Sequence, residues 1–99
     1  MPRFEHPIEY PFAMEAAAAL GHAGKKLRKA LDALAAFDEA PTSLRKLSSR
    51  ADLVAEAAEA FWAYVVQREE FGLFDPEYIR EQYAVPEDVA RAMGPKRRR

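Results

Sequence analysis

The sequence predicts an all-α fold, a long antiparallel helical hairpin followed by one or two short C-terminal helices. Apolar residues recur at spacings of three and four over two long stretches, the period of one helix packed against another. Twenty of the 99 residues are alanine, which favours helix over strand. No useful length of chain alternates apolar and polar residues, so no strands are predicted.

The two ends of the chain differ from its middle. Pro2, Pro7 and Pro11 favour an extended conformation, so residues 1–11 are predicted to form a strap that docks through its large apolar side chains. A single helical domain is predicted over residues 12–94. The last five residues, 95–99, are predicted to be a disordered basic tail, since four of them are bases.

The first helix is predicted from about Phe12 to Asp38, ended by Pro41. Its apolar row is Ala13, Ala17, Leu20, Gly24, Leu27, Leu31 and Leu34. Gly21 and Gly24 lie inside this helix, where each costs roughly 1 kcal/mol relative to alanine. We therefore expect close packing to offset that cost.

The later helices begin and end at recognisable signals. Thr42 or Ser43, or alternatively Ser49, is predicted to cap the second helix, and Gly72 to follow its end. A short helix is predicted from Asp75 as N-cap and Pro76 as first helical residue to about Tyr83. Pro86 is predicted to open a last short helix, which Gly94 closes.

The segment 61–66, FWAYVV, is apolar around the whole circumference of the second helix. With a hairpin turn at residues 39–42, the predicted register places Phe61 against Leu20, Ala57 against Gly24, and Tyr64 against Ala16 and Ala17. Large side chains would then face small ones. One neighbouring helix covers only one side, so the rest must be covered by the short C-terminal helices, by the N-terminal strap or by another subunit. We predict a homodimer with a four-helix arrangement, associating through Phe61, Trp62, Val65 and Val66.

Arg68 continues the buried row of the second helix, so its guanidinium needs a carboxylate. Glu15, Asp75 or an acid of a second subunit could supply one, and a structural ion pair is the favoured interpretation. The alternative is a polar pocket wall of Tyr64, Gln67 and Arg68 that receives an anionic ligand.

The residue types exclude several kinds of chemistry. Without cysteine there is no disulfide, thiolate zinc site or thiol nucleophile. His6 and His22 are the only histidines, and no Glu-x-x-His pair exists. Asp52, Glu56, Glu59 and Glu70 form an acidic stripe along the second helix. Asp52 and Glu56 are predicted to form flanking ion pairs with the lysines of 25–29. We therefore predict no catalytic residue, metal or cofactor, and no enzyme.

The charges are unevenly distributed although the net charge is only −1. The basic segments Lys25–Lys29 and 96–99 are the candidates for contact with nucleic acid. The two short helices are acidic, the wrong sign for a DNA surface, so nucleic acid is not the favoured partner. No apolar run reaches the length of a membrane span and no signal peptide is found, which predicts a cytoplasmic protein.

Several short motifs resemble a family of small bacterial helical proteins known only as a domain of unknown function. They are Ala19-Leu20-Gly21, Gly24, Leu27, Phe37-Asp38, Val65-Val66-Gln67-Arg68-Glu69, Gly72-Leu73, Asp75 and the closing VPEDVARAMG. The resemblance covers about residues 14–94. It implies a proteobacterial intracellular protein with no assigned activity and no catalytic residues to transfer.

Together these patterns predict a non-enzymatic interaction or structural protein. Its expected partner is a second copy of itself, with an unidentified protein as the other possibility. An anionic-ligand binder and a nucleic-acid accessory protein are the alternatives.

Overall fold

The computed structural model describes residues 9–44 and 47–94 and is helical wherever it has regular structure. The helices are α1 (Glu9–Glu39), α2 (Leu47–Glu69), α3 (Pro76–Gln82) and α4 (Glu87–Ala92), with a short 3-10 helix, Thr42–Leu44, between α1 and α2. No strand occurs in these two ranges. The predicted hairpin with two short C-terminal helices is confirmed.

Helix α1 begins at Glu9, three residues before the predicted start. The prediction of an extended strap is therefore wrong for residues 9–11. Pro11 is tolerated because the first N–H groups of a helix have no partner within it, so a proline in the first turn removes no hydrogen bond. The rest of the predicted strap, 1–8, and the predicted tail, 95–99, lie outside the described residues.

The register of the hairpin differs from the predicted one. A side chain on Gly24 would meet Tyr64, whose ring carbon Cζ lies 3.4 Å from the position of the missing Cβ. Tyr64 was predicted to face Ala16 and Ala17, about two helical turns earlier. The connection is longer than predicted, since α2 begins only at Leu47, and this shifts every facing pair.

The shifted register leaves the first part of α1 without α2 beside it. Because Tyr64 lies level with Gly24, the end of α2 at Glu69 lies about level with Ala19 in the antiparallel pair. The turns of α1 before Ala19 therefore extend past the end of α2. We call this end of the hairpin, opposite the connection at 40–46, the open end.

The core is built by all four helices of a single chain. Its buried residues are Leu27, Leu31 and Leu34 of α1, Ala57, Ala58, Phe61, Tyr64 and Val65 of α2, Ile79 of α3, Val85, and Val89 of α4. Ile79 and Val89 are almost completely enclosed. The short helices thus cover part of the apolar segment 61–66 that α1 leaves uncovered.

Arg50 ties three helices together near the connection. Its Nε and Nη2 donate to the two carboxylate oxygens of Asp38 at 2.7 and 2.9 Å, and its Nη1 donates to Asp88 at 3.0 Å. The two acids, Asp38 first, raise the pKa of Arg50. The start of α2 is thereby joined to the end of α1 and to α4.

Helix α2 ends in a Schellman motif at the predicted glycine. The N–H of Leu73 donates to the carbonyl of Arg68 at 3.0 Å, and the N–H of Gly72 to that of Glu69 at 2.9 Å. Gly72 has a φ of +83°, a left-handed conformation that costs glycine nothing sterically. The prediction that Gly72 follows the helix end is confirmed.

Helix α3 ends in the same motif with alanine in the glycine position. Ala84 has a φ of +51°, its N–H donates to Glu81 at 3.2 Å, and the N–H of Val85 donates to Arg80 at 2.9 Å. A side chain in this conformation is strained against its own backbone, by about 1–2 kcal/mol. The burial of Val85 holds the motif in place despite that strain.

We expect Ala84→Gly to raise the free energy of unfolding by about 0.5–1 kcal/mol, because relief of the strain exceeds the entropy that glycine adds to the unfolded chain. Denaturant unfolding monitored by circular dichroism measures the change. Gly72→Ala is the reciprocal substitution and is expected to destabilise the protein. An Ala84→Gly variant no more stable than the wild type would contradict the assignment of strain.

Candidate functional site

The side chains of Tyr64 and Tyr83 meet over Gly24 of α1. The rings of Tyr64 and Tyr83 pack edge to face, with centroids 5.6 Å apart and planes at 72°. The Tyr83 hydroxyl oxygen lies 2.9 Å from the position of a Cβ on Gly24. A Cβ on Gly24 would force the Tyr83 hydroxyl to shift, so the expected close packing that offsets a glycine exists at this residue.

Arg68 forms a bidentate ion pair with Asp75 at the end of α2. Nε and Nη2 donate to the two carboxylate oxygens at 3.0 and 2.7 Å, and the guanidinium lies 5.7 Å from the centre of the Tyr64 ring. The Arg68 side chain is only 15% exposed. The predicted structural ion pair is therefore present, with Asp75 as the partner.

The position of Asp75 also corrects one detail of the prediction. It occupies the N-cap position of α3, as predicted, but its side chain makes no capping hydrogen bond. The carboxylate turns to Arg68 instead, because a charged guanidinium is a stronger partner than a backbone N–H. The pair lowers the pKa of Asp75 and raises that of Arg68, so both stay charged at neutral pH.

This pair predicts a specific loss of stability in acid. Arg68 lowers the pKa of Asp75 in the folded state below the ordinary pKa of 3.8. The ionised carboxylate therefore stabilises the fold at every pH above 3.8, and this stabilisation disappears as the pH falls through the folded-state pKa. We expect the difference in unfolding free energy between the wild type and Asp75→Asn to be constant near neutral pH and to shrink below 3.8.

Denaturant unfolding of both proteins between neutral pH and about pH 2 measures that difference. Asp52→Asn, on the exposed face of α2, is the matched control substitution. A difference between the wild type and Asp75→Asn that persists unchanged into strong acid would contradict the role of this ion pair.

Tyr83 is held from the other side by Arg28 of α1. The Arg28 guanidinium lies 4.9 Å from the centre of the Tyr83 ring, and its Nη2 donates to the Tyr83 carbonyl at 3.3 Å. Burial, and then the Tyr64 hydroxyl, raises the pKa of Tyr83. The phenol therefore stays neutral at physiological pH and acts as a hydrogen-bonding and packing group.

The three residues of the predicted anion site lie close together on α2, but the only cation among them, Arg68, already has a carboxylate partner. Tyr64 is buried, Gln67 is half-buried, and two of the Arg68 nitrogens donate to Asp75. An anionic ligand here would have to displace an internal carboxylate. The arrangement therefore favours the structural interpretation of Arg68 over the ligand-binding one.

A shallow groove of about 370 Å³ lies between α1 and the connection from α3 to α4. The charged and aromatic residues that line it are Arg28, Asp32, Asp38, Glu39 and Tyr83. Arg28 is already paired with Asp32 at 3.5 Å, and Asp38 with Arg50 at 2.7 Å. Sequence reasoning missed this groove, because no motif marks a surface made where the α3–α4 connection crosses another helix.

The lysines of α1 do not form the predicted ion pairs. Lys25, Lys26 and Lys29 are exposed, as are Asp52 and Glu56, and none of them takes part in an ion pair within residues 9–44 and 47–94. The shifted hairpin register is the physical reason. The lysines therefore remain a basic, solvated stripe along α1.

The residues predicted to associate with a second copy divide into two groups. Phe61 and Val65 are 2% and 6% exposed and lie in the core of the single chain, so a second copy has no access to them. Trp62 and Val66 are partly exposed. The prediction placed the contact on a face of α2 that this chain largely covers for itself.

The exposed large apolar side chains lie instead towards the open end of the hairpin. Phe71, Leu73 and Phe74 follow α2, and Met14 lies on the part of α1 that extends past it; Phe74 is 73% and Met14 60% exposed. We call these four residues the open-end surface. Tyr78, in the first turn of α3, is also exposed. Four apolar side chains of this size near one end of a small protein mark a candidate interaction surface.

The described residues limit other kinds of site. Nowhere in them are three His, Cys, Asp or Glu side chains grouped so that they could hold a metal ion. No helix in the described ranges combines the length and apolar character that a membrane crossing needs.

Comparison with known proteins identifies a family but no activity. No curated protein and no solved structure matches the chain. The model of a family described as "Family of unknown function (DUF6665)" matches residues 5–98, a longer stretch than the motif resemblance covers. The chain therefore belongs to the family of unknown function DUF6665.

Proposed function

We propose that this protein is a non-enzymatic interaction module that forms a homodimer through the open-end surface. The observation that carries the proposal is the exposure of Phe71, Leu73, Phe74 and Met14 towards one end of a hairpin whose core is complete without them. Full burial of an exposed side chain of this size contributes about 1.5–3 kcal/mol, so Phe74 and Met14, which are the most exposed of the four, contribute most when a partner covers them.

The backbone that carries these side chains is fixed on both sides. The Schellman motif at Gly72 lies before Phe74 in the chain. Asp75, which is paired with Arg68 of α2, follows Phe74 directly. A segment held in this way loses little conformational entropy when a partner binds. This rigidity supports a built contact surface and argues against a loop that merely exposes apolar residues.

We also propose a bacterial, cytoplasmic setting for this dimer, supported by the sequence motifs and the lack of cysteine. In that setting the homodimer would present the remaining surface to any further partner. The basic stripe Lys25, Lys26 and Lys29 lies on that remaining surface.

We expect Phe74→Ser to weaken dimerisation about tenfold or more, because serine removes most of the apolar area that Phe74 contributes to the contact. Sedimentation equilibrium over a range of concentrations measures the dissociation constant. Ala55→Ser, on the exposed face of α2, is the control for a serine at an exposed site. Equal dissociation constants for Phe74→Ser and Ala55→Ser would contradict the assigned surface.

A further inference from the structure

The groove between α1 and the α3–α4 connection combines an apolar lining with carboxylates. The apolar residues that line it are Leu31, Leu34, Ala35, Ala84 and Pro86. Asp32 and Glu39 also line it, and both are exposed. They lie seven residues apart on one side of α1, which separates them by about 10 Å along the helix. The groove therefore offers space, apolar contact area and two anionic groups in line.

The groove carries more negative than positive charge. Its charged residues are Arg28, Asp32, Asp38 and Glu39. Asp38 already accepts two hydrogen bonds from Arg50, at 2.7 and 2.9 Å. Arg28 lies 3.5 Å from Asp32, but these side chains are 46% and 67% exposed, and such a pair is too weak to keep the carboxylate from a second cation. Glu39 forms no ion pair with any other residue of 9–44 and 47–94. Asp32 and Glu39 are thus the groups that a cationic segment can neutralise.

We propose that the basic tail, residues 95–99, docks in this groove of its own chain with its cationic side chains against Asp32 and Glu39. Four of the five tail residues are bases and none is an acid. The aliphatic parts of lysine and arginine side chains lie well on apolar residues while their charged ends reach carboxylates. The docked tail has fewer charges left for other anions, so the groove limits the attraction of this protein to nucleic acid.

The tail is the occupant because it leaves the fold close to the groove. Pro86 lines the groove, and α4 follows it directly. The six residues of α4 rise only about 9 Å. The five residues after Gly94 span up to about 17 Å when extended, so they can return to the groove. On so short a tether the tail has an effective concentration in the millimolar range, at which weak, exposed ion pairs are sufficient.

The other end of the chain is too short to occupy the same place. Helix α1 begins at Glu9, and Asp32 lies about 34 Å further along it. Eight extended residues span at most about 29 Å, so residues 1–8 do not reach the carboxylates of the groove. They also carry both signs of charge, whereas the tail is uniformly basic.

A pair of cysteines tests the docking directly, because the chain has no cysteine of its own. Ala35→Cys places a thiol in the groove, and Ala33→Cys places one on the opposite side of the same helical turn; both residues are exposed. Each is combined with Arg98→Cys and oxidised at low protein concentration. We expect the intrachain disulfide to form at least about fivefold faster with Ala35→Cys, and the difference to disappear in about 1 M salt.

Three results of this experiment would overturn the proposal. The first is an equal rate of disulfide formation for Ala33→Cys and Ala35→Cys. The second is a preference for Ala35→Cys that survives high salt, since the tether alone would then explain it. The third is a disulfide that joins two chains and not one, which would assign the groove to the tail of a second copy.

A second measurement needs no cysteine. Asp32→Asn with Glu39→Gln removes two carboxylates from the groove, and Asp52→Asn with Glu56→Gln removes two exposed carboxylates from α2, so both double variants change the net charge equally. We expect the groove variant to elute from a phosphate-bearing resin at higher salt than the α2 variant, because its tail is released. The difference should vanish when both chains end at Gly94. Elution of the two full-length double variants at the same salt, or a difference that persists without the tail, would overturn the docking.

Discussion

Phe61→Ala is expected to lower the free energy of unfolding by about 3–5 kcal/mol. Phe61 is 2% exposed and lies in the core that α1, α2, α3 and α4 share. Alanine would lose the buried ring and leave a cavity that helices packed on several sides cannot close. Denaturant unfolding at the lowest usable concentration measures the change without a contribution from association.

The matched control is Phe74→Ala, the same chemical change at a ring that is 73% exposed. It is expected to change the stability of the monomer by no more than about 0.5 kcal/mol. Equal effects of the two substitutions would contradict the placement of the segment 61–66 inside the single chain.

Gly24→Ala and Gly21→Ala are expected to have opposite effects on stability. Alanine at residue 21 meets no atom within 4 Å, so it should stabilise the monomer by about 1 kcal/mol through helix propensity alone. At residue 24 the new methyl would lie 2.9 Å from the Tyr83 hydroxyl and 3.4 Å from Tyr64. Such overpacking costs about 1–3 kcal/mol, which exceeds the gain in propensity.

Thermal unfolding of the two variants side by side, at a concentration where both are monomeric, measures the contrast. Because the residues lie three apart on one helix and the substitution is identical, only their surroundings differ. If both substitutions stabilised the protein, the positions of Tyr64 and Tyr83 would not depend on the absence of a side chain at Gly24.

The helices themselves could be predicted from the sequence because their signals are local. The spacing of Leu27, Leu31 and Leu34 indicates a helix face whatever lies opposite it. Gly72 and Pro76 mark helix ends through backbone restrictions that need no tertiary contact. Arg68 also behaved as expected, since an arginine in an apolar row requires a carboxylate near it.

The register of the hairpin could not be predicted in the same way. It depends on the length of the connection, and Pro41 marks where α1 must end but not where α2 begins. The shift moved Tyr64 onto Gly24 and left Gly21 uncovered. It also separated the lysines of α1 from the acids that were predicted to pair with them.

The burial of Phe61 and Val65 within their own chain could not be predicted for a related reason. An apolar residue that faces α3 or α4 has the same sequence pattern as one that faces a second subunit. Phe61 and Val65 face the interior of their own chain, whereas Phe71 and Phe74 lie in a connecting segment that has no helical period to interpret. The exposed side chains become evident only when the fold shows which residues remain uncovered.

Sedimentation equilibrium of the wild-type chain, from sub-micromolar to high micromolar concentration, shows whether the protein forms a homodimer. We expect a mass that rises from 11.2 kDa towards twice that value as concentration increases. A mass that remains at 11.2 kDa at the highest concentration would contradict the homodimer.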